Sequence, residues 1–347
     1  MQLVKVLMLG GTGLIGTGIT RQLLAAGHDV THLNRGQSSN EFEGHVRLVR
    51  GDRNSVADLD RAVAESGTTA VIDMIGFTAE QAELTARVFA GRIEQMVFCS
   101  TVDVHTKVGQ GFPLDESSPR RPSPAFPYAF AKRQAEQVLE DAAAAGAFSL
   151  TVLRPAATYA DTAVAPIGSF AVNVSRIRLG LPIVVHGDGS SLWASCHRDD
   201  VAAAFVAAVE RPVARNRSYI VASNELMTWD TYWRLVARAA ADREPEIVHV
   251  PTDLLYAHDP DLAEWCQINF RHPNVFDCAA ARRDLGFRVT TSFAGGLASM
   301  DWSAVPPPDP DLAVRYDRLV ADWTAATAGF AATRPRDSVL TGETCPA

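Results

Sequence analysis

The chain has 347 residues, 47% hydrophobic and 21% charged, with 32 Lys and Arg against 40 Asp and Glu for a formal net charge of -8. This is enough chain to bury a sizeable core, and the balance is that of an ordinary globular protein rather than a disordered or fibrous one. An acidic chain does not coat nucleic acid, so a small-molecule partner is expected, with no nucleic acid and no membrane.

In chain order, "KVLMLG" reads as a buried strand, and the stretch after it spaces Ile15, Ile19 and Leu23 along a helix that Gly27 stops. "HDVTHLNR", "VRLVRGD", "AVIDMIG" and "QMVFCST" follow as strands, with "VADLDRAVAESG" and "AELTARVFAG" as helices between them. "FPYAFAKRQAEQVLEDAAAAG" is a long helix and "SLTVLRP" the strand after it. Strand and helix alternating in this way predict an α/β fold, a doubly wound parallel sheet covered on both faces. After Pro155 the rhythm breaks. Residues 1–160 are expected to form a dinucleotide-binding domain of Rossmann type, with 191–221 packing back on it. Residues 161–190 and 222–302 form a smaller substrate-binding lobe, and 303–347 a C-terminal helix with a disordered tail after Arg334. Asp199 or Asp200 is the expected cap of "DDVAAAFVAAVE", and Thr228 that of "TWDTYWRLVARAAA".

No charged lead with a long apolar stretch opens the chain, and "VAAAFVAAV" is too short to span a bilayer, so a cytoplasmic location is expected. The five cysteines are scattered without metal-ligand spacing, and the histidines lack it too; reduced thiols and no metal are expected.

"GGTGLIG", residues 10–16, lies between the first strand and the first helix. Glycines there permit a tight turn and close approach of a pyrophosphate to the helix N-terminus, so Gly10, Gly11, Thr12, Gly13, Leu14, Ile15 and Gly16 are assigned to a dinucleotide. At the end of the second strand, where an acidic residue would meet a free ribose 2'-hydroxyl, stand Asn34 and Arg35. An arginine there pairs with a 2'-phosphate, which leans the cofactor from NAD towards NADP; stacking on adenine with NAD bound is the alternative. Asp52 is placed to accept from the adenine amino group or to cap the helix after it, beside Arg53. Met74, Ile75 and Gly76 end the next strand against the same cofactor.

"VFCSTVDVH" ends a strand at the carboxyl edge of the sheet, and "YAFAK" puts Tyr128 and Lys132 one helical turn apart on one face. A hydroxyl at Thr101, a phenol and an ammonium form a set in which the ammonium would lower the phenol pKa. The phenolate could then take a proton from a substrate alcohol.

The order of "GGTGLIG", "GD" at 51–52, "FCSTVDVH", "YAFAK", "LRPAATY" and "GDGSSLWASCHRDDVAAAF" resembles the extended short-chain dehydrogenases/reductases, or NAD-dependent epimerase/dehydratases, over roughly the first 300 residues. The resemblance implies Tyr128 as catalytic base, Lys132 on the nicotinamide ribose, Thr101 as the third member of a triad, Pro155 shaping the nicotinamide pocket, and a homodimer through the Tyr128 helix and its neighbour. It also exposes departures. Dehydratases of the family carry an acidic pair where this chain has Val102 and Asp103, leaving Asp103 as a lone acid or base. His105 stands where a tyrosine is common, and Trp193 where nucleotide-sugar enzymes place a pyrophosphate-clasping arginine. Trp193 therefore admits a nucleoside, a simple sugar or another ring that stacks on indole, or else belongs to the core. Tyr256, His258, Trp265, Asn269 and Phe270 are further candidates for the lobe's pocket wall.

The leading expectation is an NAD(P)-dependent epimerase that inverts a secondary alcohol of a carbohydrate-like substrate (sugar, nucleoside or nucleotide sugar) through a transient ketone. The alternatives are an NADP-dependent oxidoreductase with exchangeable cofactor and, from another class, a non-catalytic dinucleotide-sensing or RNA-binding protein.

Overall fold

Short apolar runs build the strands β1 (Lys5–Leu9), β2 (Asp29–Asn34), β3 (Arg47–Arg50), β4 (Ala70–Asp73) and β5 (Gln95–Cys99), with β6 (Ser149–Pro155) after them. The structure, a computed structural model, describes residues 3–37 and 41–332, so the expected tail after Arg334 lies outside the described residues. Beyond β6 come β7 (Thr158–Tyr159), β8 (Ile183–His186), β9 (Leu192–Trp193), β10 (Cys196–His197), β11 (Arg217–Val221), β12 (Met227–Thr228) and β13 (Ile247–Val250). Seven of these form one sheet in the order β11-β6-β5-β4-β1-β2-β3, each neighbour parallel. Parallel neighbours need crossovers, supplied by α1 (Leu14–Ala25), α2 (Val56–Ser66), α3 (Ala79–Phe89) and α4 (Pro127–Ala144). The direction of winding reverses between β1 and β4, which opens a crevice at the carboxyl ends of those strands.

The remaining helices are α5 (Phe170–Leu179), α6 (Arg198–Glu210), α7 (Trp229–Ala241), α8 (Thr252–His258), α9 (Pro260–Trp265), α10 (Phe293–Ser299) and α11 (Pro310–Ala332). On one face of the sheet Ile19 and Leu23 of α1 pack with Val201 and Phe205 of α6 over Met8, Ile72 and Val97. On the other face Leu59, Phe89, Ala135 and Leu139 cover Leu7, Val71 and Phe98. A third cluster, around Trp193, Trp229, Tyr232, Trp233, Phe270 and Phe293, gives the lobe its own core. Among the described residues no helix is long and apolar enough to cross a membrane, no group of His, Cys, Asp or Glu is set for a metal, and Cys99, Cys196, Cys266 and Cys278 are buried free thiols.

Helix starts follow local chemistry with one correction. Thr228 caps α7 by accepting from the Thr231 amide at 3.2 Å, as its sequence predicts. For α6 the cap is His197, accepting from the Asp199 amide at 3.3 Å, rather than Asp199 or Asp200. Asp200 is claimed elsewhere: its Oδ2 takes the amides of Thr290 and Thr291, each at 3.1 Å, and its Oδ1 takes the Thr290 hydroxyl.

The helix that carries Tyr128 and Lys132 is fixed by a buried ion pair. Arg154, in β6, donates from Nε to Glu136 Oε1 at 2.7 Å and from Nη2 to Oε2 at 3.1 Å, and Arg120 adds a contact from the surface side. Burial opposes the Glu136 anion, yet the charge and hydrogen bonds of Arg154 hold its carboxyl below the usual range. Removing one partner leaves the other charged and dry. Glu136→Ala is expected to cost about 3–5 kcal/mol in urea unfolding, while the double change Glu136→Leu, Arg154→Met recovers most of that loss. Equal losses in the single and double variants would show that the pair does not act as a unit.

Candidate active site

The glycine turn after β1 has one side closed and one side open. A Cβ on Gly11 would stand 2.4 Å from His32 Nε2, so no side chain fits between the turn and β2. His32 is buried and hydrogen-bonded to the Thr20 hydroxyl at 2.9 Å, and burial lowers its pKa to about 4, which leaves it neutral at neutral pH. A Cβ on Gly13 would meet nothing nearer than the Gly10 carbonyl oxygen at 3.9 Å. That open cradle lies at the start of α1, where Gly13 provides no side-chain cap and leaves the first amides to an outside acceptor. The turn thus fits a dinucleotide pyrophosphate.

From the turn a pocket runs over the ends of β2 and β3, lined by Gly10, Thr12, Gly13, Asn34, Arg35, Asp52, Arg53 and Ile75. Asn34 Oδ1 accepts the Gly36 amide at 3.0 Å, which leaves its side-chain NH₂ and the exposed Arg35 as the polar groups of the strand end. Asp52 is not the cap of α2: Ser55 is, accepting from Asp58, while Asp52 Oδ1 accepts the Asn54 amide at 2.9 Å. Arg53 is buried, with Nη2 bonded to Asp73 and to Thr85 Oγ1, so it serves first as an internal anchor of the wall.

On the other side of the turn a cleft of about 470 Å³ is bordered by Leu14, Ile15, Gly16, Met74, Cys99, Thr101, Asp103, Tyr128, Lys132 and Pro155. Lys132 is 1% exposed; its Nζ donates to the carbonyls of Gly76 at 2.9 Å and Cys99 at 2.8 Å and lies over the rings of Phe77 and Phe98. Burial lowers its pKa. Gly76 therefore meets the site through its carbonyl oxygen. Tyr128 opens into the cleft beside Trp265, ring centroids 6.0 Å apart. Burial raises its phenol pKa, the charges of Cys99 and Asp103 add to the rise, and a hydrogen bond with Thr101 opposes it. Lys132 borders the same cleft, with two of its ammonium hydrogens on backbone carbonyls.

Asp103 sits at the centre of a polar cluster. Its Oδ2 accepts from the Thr101 hydroxyl at 3.3 Å and its Oδ1 from Lys107 Nζ at 3.0 Å and Asn269 Nδ2 at 3.1 Å. His105, by contrast, does not border this cleft: it is 2% exposed, hydrogen-bonded to the Ser118 carbonyl, and burial lowers its pKa to about 4. Trp193 borders the cleft yet is 4% exposed, packed on Trp229 at 4.7 Å and Phe270 at 5.0 Å with its Nε1 on Ser195. Of the lobe candidates, Trp265, Asn269 and Phe270 reach the wall, while His258 pairs with Asp322 away from it and Tyr256 does not line it. Lys107 and Asn274 escaped sequence reasoning. Lys107 follows Asp103 at the same four-residue spacing as the Tyr128 and Lys132 pair, a faint signal, and Asn274 carried none.

The 2'-dehydrokanamycin reductase of Streptomyces kanamyceticus is 29% identical over 279 residues, 79% of this chain and 77% of that one. The chloroplast stem-loop binding protein of 41 kDa b of Arabidopsis thaliana is 26% identical over 258 residues, 71% of this chain and 65% of that one. Among solved structures, the NAD complex of UDP-glucose 4-epimerase from Thermus thermophilus superposes with a TM-score of 0.68 at 22% identity, covering 86% of this chain and 98% of that one. Residues 6–222 match the NAD dependent epimerase/dehydratase family, and the chain belongs to it.

Proposed function

We propose that the protein is a nicotinamide-dependent oxidoreductase acting between a secondary alcohol and a ketone on a carbohydrate-like ring, with Tyr128 as the group that moves the proton. The observation that carries this reading is the convergence of Thr101, Tyr128 and Lys132 on one cleft that continues from the open glycine turn. Gly10 to Gly16, Arg35, Asp52 and Lys132 would hold the dinucleotide, which when bound supplies or takes up the hydride at the carbinol carbon.

A phenol is protonated at neutral pH and the pKa of Tyr128 is shifted further upward, which suits it to give a proton to the oxygen of a ketone being reduced. Thr101, which borders the same cleft as the phenol, would hold that oxygen. Opposite them Trp265 and Phe270, stacked at 5.9 Å, offer an apolar face on which a sugar or cyclitol ring can lie. Arg35 with no carboxylate beside it on the strand end supports NADP, an exchangeable reductant, and the kanamycin-type reductase among the relatives supports net redox on a ring ketone. Epimerisation through a transient ketone is the second reading, favoured by membership of a family that includes epimerases. A non-catalytic binding role is the third reading, and one relative is named a stem-loop binding protein, but the intact Thr101, Tyr128 and Lys132 set speaks for chemistry.

The test is to supply NADPH with polyhydroxylated ring ketones, among them keto-inositols, keto-hexosides and keto-aminocyclitols, and to follow the nicotinamide band. Steady loss supports the reductase; inversion of the matching alcohols without any net change in the band supports the epimerase. Tyr128→Phe is expected to lower kcat by about 10²–10⁴-fold with NADPH affinity unchanged. Retention of most activity would remove Tyr128 from the mechanism. In calorimetry Arg35→Ala is expected to weaken 2',5'-ADP by about tenfold or more and 5'-ADP little. An equal effect on both ligands would sink the 2'-phosphate assignment.

A further inference from the structure

Two cations leave neighbouring strand ends beside the glycine-turn pocket. Asn34 and Arg50 are paired residues of β2 and β3, and Arg35 follows Asn34 directly. Both arginines are exposed, and among the described residues neither guanidinium has a hydrogen bond or an ion pair. Other arginines of this surface are committed: Arg47 Nη1 donates to the Glu65 carbonyl at 2.8 Å and Arg61 Nη2 to Asp58 Oδ1 at 2.7 Å. The chain has 40 acids against 32 bases, so carboxylates are not scarce. Like charges at adjacent sheet positions repel each other, and an anion between them removes the repulsion.

Gly36 shapes the place between them. Its φ of +71° disfavours a side chain, and a Cβ built there would stand 3.5 Å from Arg50 Nε and 3.8 Å from Arg50 Cζ. The Arg50 guanidinium therefore lies along the bare backbone of Gly36, which lines the pocket together with Arg35. The backbone of the same strand ends is braced. Asn34 accepts the Gly36 amide on Oδ1 at 3.0 Å and the Gly51 amide on its carbonyl at 2.9 Å, and the Arg50 carbonyl accepts from Arg61 Nη2 at 2.6 Å. These bonds fix the main chain and leave both guanidiniums unspent.

We infer that Arg50 is the second arm of a guanidinium clamp that closes with Arg35 on the 2'-phosphate of the cofactor over Gly36; this rests on the NADP reading above. The 2'-oxygen of a dinucleotide adenosine meets the protein at the end of the second strand. A phosphate monoester there carries close to two negative charges on three terminal oxygens, enough for charge-assisted hydrogen bonds from two guanidiniums at once. A bare 2'-hydroxyl would leave both cations without a counter-charge. Arg50 is thus a specificity-determining residue, selecting between the two nicotinamide cofactors at a distance from the reacting carbon.

The experiment is calorimetry of the full chain with 2',5'-ADP and with 5'-ADP, in the wild type, Arg35→Ala, Arg50→Gln and the double variant. Arg50→Gln removes the charge from an exposed side chain and keeps the carbonyl that Arg61 holds. It is expected to weaken 2',5'-ADP by about three- to tenfold, to leave 5'-ADP unchanged and to flatten the salt dependence of 2',5'-ADP binding. The double variant is expected to bind the two nucleotides alike. Arg50→Lys is expected to keep part of the preference, because the charge remains while the planar fork is lost. A merely structural Arg50 would weaken both nucleotides together, and that result overturns the clamp. An unchanged ratio of the two affinities in Arg50→Gln, with the ratio lost in Arg35→Ala, overturns the clamp and leaves the NADP reading standing. A wild type that binds 2',5'-ADP no better than 5'-ADP overturns the NADP reading and the clamp with it.

Discussion

A protonated amine at 1% exposure needs partners for its charge, and Lys132 has the carbonyls of Gly76 and Cys99 for two of its three hydrogens and the rings of Phe77 and Phe98 beside it. The consequences reach three elements at once. Gly76 follows β4, Cys99 ends β5 and Lys132 lies one turn into α4, so the ammonium staples two strand ends to the helix that carries Tyr128. Behind it Asp73 accepts the Ile75 amide and the Arg53 guanidinium, which shapes the loop that presents the Gly76 carbonyl. One turn further along α4, Glu136 and Arg154 bind the same helix to β6 and so to Pro155. The cleft wall is rigid because charges that are expensive to bury are all paired there.

The opposite wall is built by different physics. Trp193, Trp229 and Phe270 pack at 4.7 to 5.4 Å in a dry aromatic cluster, and Trp265 stands at its margin facing Tyr128. Between the two walls the polar link is the Asp103 and Lys107 cluster, which reaches Asn269 and Asn274 in the lobe. The cleft therefore presents an apolar face on one side and the hydroxyls of Thr101 and Tyr128 on the other.

The parts legible in the sequence were those written locally. The glycine turn, the strand and helix alternation, the Tyr128 and Lys132 spacing and the Thr228 cap each depend on residues within a few positions of one another. What escaped was set by distant partners. Asp200 looks like a helix cap until Thr290 and Thr291, ninety residues on, claim its carboxylate, and the cap passes to His197. The Lys107 cluster joins positions more than 160 residues apart, so neither spacing nor composition could announce it. His105 follows the triad threonine closely enough to suggest a substrate contact, yet the Ser118 carbonyl draws its ring into the loop behind.

The two chemical readings part on physical grounds. An epimerase returns the proton to the oxygen it came from, so its tyrosine needs a partner that can hold charge briefly but no channel to solvent. A reductase must import a proton for every hydride it delivers. This chain sets Tyr128, Thr101 and Lys132 on one cleft and gives the Thr101 hydroxyl a carboxylate, Asp103, that is paired with Lys107. Both readings use the same Thr101, Tyr128 and Lys132 set, so what separates them is whether the cofactor and the proton leave the cleft between turnovers.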